Sequence, residues 1–296
     1  MKLGLSLTVF TADPARPMAA ADRAAANGYD AVFASDHLFP PGSPERPSLE
    51  TYTLLSAIAA AHPGLGVGVL VTRAGFRPPG ILAKQAAALD QLSGGRSILG
   101  LGLGDASGRA EHRALGLPYP PVAERGEALE ETAAALRALF RGDTWPGGAH
   151  VPPLTGPLLP PGAPQVWVGG VSDRVLGIAA RAADAWNAWG LEIEPFVARA
   201  EALAGLARAA GRDPAEVPPT WAGIALVAED AAALDRLASE RGEKGLTMDI
   251  WRGTVDDLRR LRDAVAAAGA GGTWLVVVAA GPADRAELIA ATLRAG

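Results

Sequence analysis

Residues 93–101, SGGRSILGL, contain the signal that decides the fold. Paired glycines follow an Ala/Leu-rich amphipathic segment, and a short apolar run comes directly after them. A glycine suits the left-handed position just past a helix, because it lacks the Cβ atom that strains this conformation. A continuous apolar run is typical of a strand buried on both faces, as in a parallel sheet. The stretch therefore predicts the passage from a helix into a parallel strand.

The same passage recurs along the chain. It is found in NGYDAVFAS (27–35), PGLGVGVLV (63–71), RAADAWNAW (181–189) and AGAGGTWLVVV (268–278). The whole pattern predicts strands at 2–9, 30–35, 65–71, 96–102, 165–169, 184–189, 220–227 and 272–279, with helices between them. This eightfold alternation predicts an α/β fold, a (β/α)8 TIM barrel with insertions that forms one domain over residues 1–296. A doubly wound open sheet is the competing fold, but it usually has fewer units and needs a topological switch.

Composition narrows the class of protein. The chain has 296 residues, of which 49% are hydrophobic and 20% charged, so it can bury a sizeable core. The absence of cysteine excludes a disulfide scaffold, a cysteine-based metal site and a thiol nucleophile. A net charge of -5 argues against a general nucleic-acid binder. No stretch resembles a signal peptide or an apolar membrane span, so we expect a soluble cytoplasmic protein that acts on a small molecule.

Two segments, 103–120 and 141–164, exceed ordinary loop length, and 242–253 is a third irregular segment, between two predicted helices. The second is too rich in proline and glycine for a helix or a central strand. Because it follows a helix, barrel geometry places it at the amino-terminal end of the barrel unless it folds back. We expect residues 39–47, together with the first and third segments, to shape the substrate pocket.

Polar residues follow several predicted strands at their carboxyl ends, where a barrel builds its active site. Asp36 and His37 come after the second strand, and Asp105 comes after the fourth, with Glu111 and His112 further on. A carboxylate beside an imidazole can orient a ligand and exchange a proton near neutral pH. The alternative is that Asp36 and His37 cap a loop. The histidines lack the spacing of metal ligands on a helix, so no metal is expected.

The run GGVS at 169–172 ends the fifth predicted strand and starts a helix. Backbone N–H groups and the helix dipole at such a point favour a phosphate. The same residues also suit an ordinary N-cap after a tight turn, and spacing alone does not separate the two. Gly100, Gly102 and Gly104 look like the start of a dinucleotide-binding fingerprint, but the third glycine of GxGxxG is missing.

Over roughly residues 1–190 the sequence resembles the luciferase-like oxidoreductases. The similarity lies in YDAVFASDHL (29–38), GVGVLV (66–71), FRPPGILAKQAAALDQLSGGRSILGLGLGD (76–105), EHRALGLPY (111–119), Arg125 with Glu130, VWVGG (166–170) and AADAWN (182–187). The block LDxLSGGR-xxLGxGxG is the most specific of these. The resemblance implies a (β/α)8 barrel that binds a reduced flavin-type cofactor at its carboxyl-terminal mouth, and it implies a homodimer.

The resemblance is compatible with two branches of the family, which differ in their cofactor. The sequence Ser-Asp-His-Leu at 35–38 resembles the branch that uses the deazaflavin coenzyme F420 to move a hydride to or from a small organic substrate. The other branch uses reduced flavin mononucleotide (FMN) and oxygen, as a monooxygenase does. A protein that binds the cofactor without turnover is a third alternative.

The F420 branch assigns roles to individual positions. By resemblance, Asp36 contacts the cofactor, His37 serves near the hydride centre, and Asp105 is a weaker candidate for a proton donor. The resemblance also implies a non-prolyl cis peptide on the third strand, at Gly68–Val69. The implied cofactor-binding residues are Asp36, Gly68, Val69, Val71, Leu103, Gly104, Gly169, Gly170 and Ser172, with the phosphate on 169–172.

The sequence departs from the family pattern in two places. Pro41 stands where the sugar-phosphate dehydrogenases of the family have a tryptophan, which argues against a sugar-phosphate substrate. The segment that commonly reads Arg-His-Pro is here Phe76-Arg77-Pro78-Pro79, without the histidine. No role of that histidine can therefore be transferred to this chain.

Overall fold

The computed structural model describes residues 1–243, 250–269, 272–282 and 284–294. The strands are β1 (Lys2–Leu7), β2 (Ala31–Ala34), β3 (Gly66–Arg73), β4 (Ser97–Gly102), β5 (Gln165–Gly169), β6 (Ala185–Trp189), β7 (Pro219–Ala228), β8 (Trp251–Thr254) and β9 (Trp274–Ala279). The helices are α1 (Ala15–Ala26), α2 (Thr51–Ala61), α3 (Pro79–Leu92), α4 (Gly108–Ala114), α5 (Val122–Phe140), α6 (Asp173–Ala182), α7 (Ile193–Ala209), α8 (Ala231–Glu243), α9 (Val255–Ala268) and α10 (Arg285–Arg294).

Eight of the strands close into a parallel barrel. The order runs from β1 to β7 and then to β9, which pairs with both β7 and β1. The predicted (β/α)8 barrel is therefore confirmed, and each predicted strand is present with its ends shifted by one or two residues at most positions. None of the helices in the described ranges is long and apolar enough to cross a membrane.

Two segments expected to be irregular contain regular structure. Residues 251–254 form β8, which pairs in parallel with the end of β7. Trp251 is buried there, with its ring centroid 6.5 Å from that of Trp221. Within 103–120, Gly108–Ala114 form α4. Elements this short carry too few residues for a periodic signal. The rest of the third segment, residues 244–249, lies outside the described residues.

The Pro/Gly-rich segment 141–164 folds back along the outer faces of α3 and α5. Trp145 and Leu154 form an antiparallel bridge. The carboxylate of Glu131 in α5 accepts hydrogen bonds from the backbone N–H groups of residues 149–151 at 2.8 to 2.9 Å. These bonds satisfy backbone groups of a stretch that has no strand ladder of its own.

Three aromatic side chains fill the barrel interior below the mouth. The ring centroid of Phe33 lies 5.8 Å from that of Trp167 and 5.6 Å from that of Trp274. A Cβ atom at Gly4 would come within 2.5 Å of the Phe33 ring, and one at Gly68 within 2.4 Å. Neither position has room for a side chain, so the packing of Phe33 accounts for both glycines.

Gly68→Ala is expected to lower the free energy of unfolding by about 1–3 kcal/mol, the usual cost of an extra carbon in a filled core. The added carbon would have to displace Phe33, which is fully buried. Equilibrium denaturation with urea measures the loss. Gly64→Ala is the matched control, because no atom lies within 4 Å of the Cβ position there. Equal losses in the two variants would contradict the packing explanation.

Candidate active site

The carboxyl ends of β2, β3 and β4 bring polar side chains to one side of the barrel mouth. Asp36 and His37 follow β2, Thr72 and Arg73 end β3, and Glu111 comes from α4, which follows β4. All of them except His37 are buried. Buried polar groups need hydrogen-bonding partners, because leaving them unpaired is costly. The partners in this structure form two adjacent networks.

In the first network, Glu111 holds His37 through a short hydrogen bond. Its Oε1 atom lies 2.8 Å from Nδ1 of the imidazole. Its Oε2 atom accepts the backbone N–H of Leu38 at 2.8 Å. Arg73 donates from Nη1 to Oε1 at 2.7 Å. Nη2 of Arg73 also lies 3.3 Å from Nδ1. The carboxylate contact is shorter, and an ionised carboxylate only accepts hydrogen bonds, so we assign the ring proton to Nδ1, which leaves Nε2 as the acceptor of a neutral imidazole.

The electrostatic balance of this network keeps Glu111 ionised. Burial by itself raises the pKa of the carboxyl group. The hydrogen bonds from His37, from the backbone N–H of Leu38 and from Arg73 outweigh burial and hold the pKa of Glu111 below its usual value. Arg73 also offsets the charge of this fully buried carboxylate. The imidazole is thus oriented by a carboxylate that is itself fixed.

In the second network, Asp36 is fixed beside the first. Its Oδ2 atom accepts hydrogen bonds from the Thr72 hydroxyl at 3.0 Å and from Arg77 at 2.5 Å. The Thr72 hydroxyl also lies 2.7 Å from the hydroxyl of Tyr52. Arg77 stacks over the Tyr52 ring, 4.7 Å from its centroid, and donates to Glu50 at 2.8 Å. Asp36 therefore has a fixed orientation, and Arg77 offsets its charge.

A cleft of about 270 Å³ opens beside the two networks. Its lining consists of Asp36, His37, Leu38, Ser48, Leu49, Glu50, Phe76, Arg77 and Leu115. This volume lies near the lower end of the range for small-molecule sites, so the cleft suits a small ligand.

The third strand becomes irregular at the mouth. Its register against β4 shifts between Val69 and Thr72, and the non-prolyl peptide bond Leu70–Val71 is cis. The expected position of the cis bond, Gly68–Val69, is therefore wrong by two residues. The physical reason is that the regular pairing of β3 continues through Val69, and Gly68 is needed beside Phe33.

Val71 lies among three glycines from the neighbouring strands. A Cβ atom would approach the Val71 side chain to 3.1 Å from Gly100, to 2.4 Å from Gly102 and to 2.8 Å from Gly169. These glycines leave space for one side chain in the upper part of the barrel. The half-buried Val71 side chain therefore covers the backbone of β4 and β5 at this point, and a flat ring system can lie on it.

The other predicted cofactor residues differ in their surroundings. Val69 is fully buried in the hydrophobic cluster that joins the barrel to its helices, and Gly68 faces Phe33. At the mouth, Arg125 donates to the carbonyl groups of Leu103 and Gly104 at 3.1 Å each. Gly104 has a φ angle of 75°, which favours glycine. Internal packing therefore accounts for residues 68 and 69, whereas the loop after β4 lies where a ligand can reach it.

The turn after β5 leads directly into α6. Gly170 has a φ angle of 140°, and the Ser172 hydroxyl accepts the backbone N–H of Val175 at 3.4 Å as the N-cap. A helix N-terminus of this kind directs backbone N–H groups outward, where an anion can bind. Asp173, the first helical residue, contacts Arg199, which offsets its charge. The N-cap is thus observed, and the phosphate site stays a prediction.

Asp105 is exposed and caps the turn that begins α4. Its Oδ1 atom accepts hydrogen bonds from the Ser107 hydroxyl at 2.5 Å and from the backbone N–H of Ser107 at 3.0 Å. Burial raises the pKa of Asp105, but the Ser107 hydroxyl, the charge of Arg73 and the backbone N–H groups outweigh it and lower the pKa. An ionised carboxylate has no proton to donate, so this geometry favours His37 for proton exchange.

The sequence does not pair the predicted residues with their partners. In the sequence, Glu111 is recognised only as a charged residue that follows the fourth predicted strand. No sequence pattern identifies Arg73 or Arg77 as a partner of Asp36 or His37. One signal was available, because charged residues that follow neighbouring strands of a barrel end at the same side of its mouth.

A (β/α)8 barrel whose mouth carries a buried carboxylate bound to an accessible imidazole is an arrangement that many enzymes use. The sequence profile of the luciferase-like monooxygenase family matches residues 1–294. The chain therefore belongs to this family of oxidoreductases.

Among curated relatives, the chain is similar to a phthiodiolone/phenolphthiodiolone dimycocerosates ketoreductase of Mycobacterium tuberculosis. The two are 36% identical over 180 residues, which cover 57% of this chain and 45% of the relative. The chain thus matches about half the length of this relative.

Solved structures share the fold. An F420-dependent secondary alcohol dehydrogenase, in complex with an F420–acetone adduct, has a TM-score of 0.82 at 17% identity, with 99% of each chain covered. The EDTA monooxygenase of Chelativorans sp. BNC1 has a TM-score of 0.81 at 19% identity, covering 99% of this chain and 92% of the other. At these identities the likeness establishes the barrel and leaves the choice of cofactor open.

Proposed function

We propose that this protein is an oxidoreductase that transfers a hydride between coenzyme F420 and a small organic substrate. The observation that carries the proposal is His37, held by the buried Glu111 and lining the cleft at the mouth. Interconversion of an alcohol and a ketone moves a proton on oxygen as well as a hydride on carbon. The site therefore needs a group that exchanges protons near neutral pH, and Nε2 of His37 meets this need.

The residues at the mouth fit a deazaflavin. The Val71 side chain, which packs over the glycines of β4 and β5, offers an apolar surface for a ring, and the turn at 169–172 offers helix N–H groups for a phosphate. This local attraction suits an anionic coenzyme on a chain of net charge -5. When bound, F420 supplies hydride transfer, which amino-acid side chains do not provide. The proposed cofactor-binding residues are Asp36, Val71, Leu103, Gly104, Gly169, Gly170 and Ser172.

The residues of the first network have distinct roles. Nε2 of His37 accepts the proton of a substrate hydroxyl group while the carbon loses its hydride and the C=O bond forms. Glu111 keeps the imidazole in the required tautomer and stabilises its positive charge after proton uptake. Arg73 keeps Glu111 ionised. In the opposite direction, protonated His37 returns the proton to the carbonyl oxygen.

The relatives support two candidate reactions. Similarity to the ketoreductase and to the alcohol dehydrogenase supports the F420-dependent reaction on a carbonyl or alcohol. Membership of the luciferase-like monooxygenase family and similarity to the EDTA monooxygenase support the second candidate, an FMN-dependent monooxygenase that uses oxygen. The His37–Glu111 pair favours the first candidate, because the proton on the substrate oxygen has to be exchanged in every turnover.

Titration of the apo-protein with F420 and, separately, with FMN tests the proposal. We expect saturable binding of F420, which the fluorescence of the cofactor monitors. We also expect turnover of a simple alcohol with F420, or of a simple ketone with reduced F420. Tight binding of FMN without binding of F420 would assign the monooxygenase reaction instead. Binding of F420 without turnover of any alcohol or ketone would indicate a cofactor-binding protein.

We also propose that the protein forms a homodimer through α2 and α3. Ile81 and Leu92 are 56% and 51% exposed and lie about three turns apart on α3. The neighbouring α2, with the sequence TYTLLSAIAAA, carries no charged residue. The one exposed charge of α3, Lys84, donates to the carbonyl of Leu159. A helical surface with few charges and exposed large apolar side chains suits a symmetric contact with a second copy.

Ile81→Arg is expected to convert the dimer to a monomer, because a charge would be buried on both sides of a symmetric interface. Sedimentation velocity at several protein concentrations measures the change. Leu206→Arg on α7 is the matched control, since Leu206 is also exposed, at 39%. A dimer that persists in Ile81→Arg would contradict this interface.

A further inference from the structure

One wall of the cleft is apolar, and part of it is exposed to solvent. Leu38 and Leu115 are 36% and 47% exposed at the rim, and Leu49 and Phe76 continue the wall inward. Large apolar side chains that stay exposed beside a cleft favour a ligand with a hydrocarbon part. His37 lines the same cleft.

The charged groups of the cleft leave no cation for an anionic substrate. Among the described residues that line it, Arg77 alone has a permanent positive charge. Its guanidinium donates to both Asp36 and Glu50. Two carboxylates thus share one guanidinium, and the lining is net negative while His37 is neutral. Like charges repel more strongly where water is partly excluded, so a second anion is disfavoured.

The buried cation behind the cleft is also unavailable. Arg73 is bound to Glu111 at 2.7 Å, and its side chain is 6% exposed. Removing Arg73 from this contact would leave a buried carboxylate without its partner, which is strongly destabilising. Both guanidinium groups of the networks are thus already paired with carboxylates, so neither offers an uncompensated positive charge to an anion.

We infer that the substrate is an uncharged alcohol or ketone with a hydrocarbon substituent, and that the cleft rejects carboxylates and phosphate esters. This inference rests on the proposed function and names the substrate class of the same site. The substrate oxygen lies at Nε2 of His37, and the hydrocarbon part lies along Leu38, Leu49 and Leu115. The lack of a tryptophan at Pro41 agrees with the rejection of sugar phosphates.

Two ligands with one ketone skeleton test the inference: methyl 4-oxopentanoate, which is neutral, and 4-oxopentanoate, which is an anion. Saturation-transfer difference NMR on the apo-protein and on the protein with F420 gives their dissociation constants. The ester is expected to bind on the order of tenfold more tightly than the anion or better, because the anion meets a net negative lining. Turnover of the two ligands with reduced F420 is measured in parallel.

A charge placed on the rim provides a second measurement. Leu115→Arg adds a guanidinium at an exposed position of the cleft wall. It is expected to shift the ratio of the two dissociation constants toward the anion on the order of tenfold, because the anion gains an opposite charge while the ester loses an apolar contact. Leu206→Arg on α7 adds the same charge away from the cleft and is expected to change neither constant.

The outcomes separate this inference from the proposed function. Equal or tighter binding of the anion to the unaltered protein overturns the inference, even if F420-dependent turnover occurs. Binding of neither ligand also overturns it, because the cleft would then not be the substrate site. Preferential binding of the ester without any F420-dependent turnover supports the charge preference of the cleft and contradicts the proposed function.

Discussion

Replacing His37 by alanine is expected to lower kcat by about 10²–10⁴-fold, the usual contribution of a general acid–base group. The loss follows because no other group of the first network can exchange a proton at the substrate oxygen: Glu111 is buried and ionised, and Arg73 is bound to it. Steady-state kinetics with reduced F420 and an uncharged ketone measure the effect. The dissociation constant of F420 should stay close to that of the unaltered protein. Full turnover in the variant would rule out His37 as the proton-exchanging group.

Glu111→Gln tests whether the carboxylate positions the imidazole. A glutamine amide can donate to Nδ1, which favours the tautomer with the proton on Nε2 and removes the acceptor from the cleft. We expect a lower kcat with little change in KM, and ¹⁵N chemical shifts of the imidazole that report the other tautomer. Glu131→Gln is the control, because Glu131 accepts three backbone N–H groups on the outside of the barrel. It should lose stability and keep kcat.

Glu111 also links the site to stability at low pH. Its pKa is lower in the folded protein than the ordinary value of 4.5. It therefore stabilises the fold fully above about pH 4.5, and this contribution disappears as the pH falls through the lowered pKa. The difference in unfolding free energy between the unaltered protein and Glu111→Gln should shrink over that range in urea denaturation. A difference that does not change with pH would contradict an ionised Glu111.

The barrel and the location of Asp36 and His37 could be predicted because both depend on local pattern. A glycine after a helix and a continuous apolar run repeat along the chain, and the carboxyl ends of parallel strands meet at one side of a barrel. This rule places Asp36, His37 and the turn at 169–172 at the barrel mouth, and it requires no information on side-chain contacts.

The pairing of His37 with Glu111 could not be predicted, because the two are 74 residues apart and the contact depends on α4. This helix has seven residues, too few for a clear periodicity, and its direction is set by packing. The cis bond at Leu70–Val71 depends in the same way on tertiary structure. Its position follows from the point at which β3 leaves regular register against β4. Only the contact between Gly68 and Phe33 shows that Gly68 is required for packing in the barrel interior.

Gly102→Ala is expected to weaken F420 binding on the order of tenfold and to lower the unfolding free energy by about 1–3 kcal/mol. Its Cβ atom would lie 2.4 Å from Cγ2 of Val71, which is closer than any real contact. The side chain of Val71 would have to move toward the surface on which we propose that the cofactor rests. Fluorescence titration measures the affinity, and urea denaturation measures the stability.

Val71→Ala in the same chain separates packing from ligand contact. It removes the Cγ2 methyl group that the added carbon at position 102 would meet, so the double variant should regain most of the stability lost in Gly102→Ala, a coupling expected for residues in contact. Affinity for F420 should not recover, because the side chain proposed to support the cofactor ring is then missing. Recovery of both properties would show that Val71 makes no contact with the cofactor. Recovery of neither would show that Gly102 is required for a reason other than the space occupied by Val71.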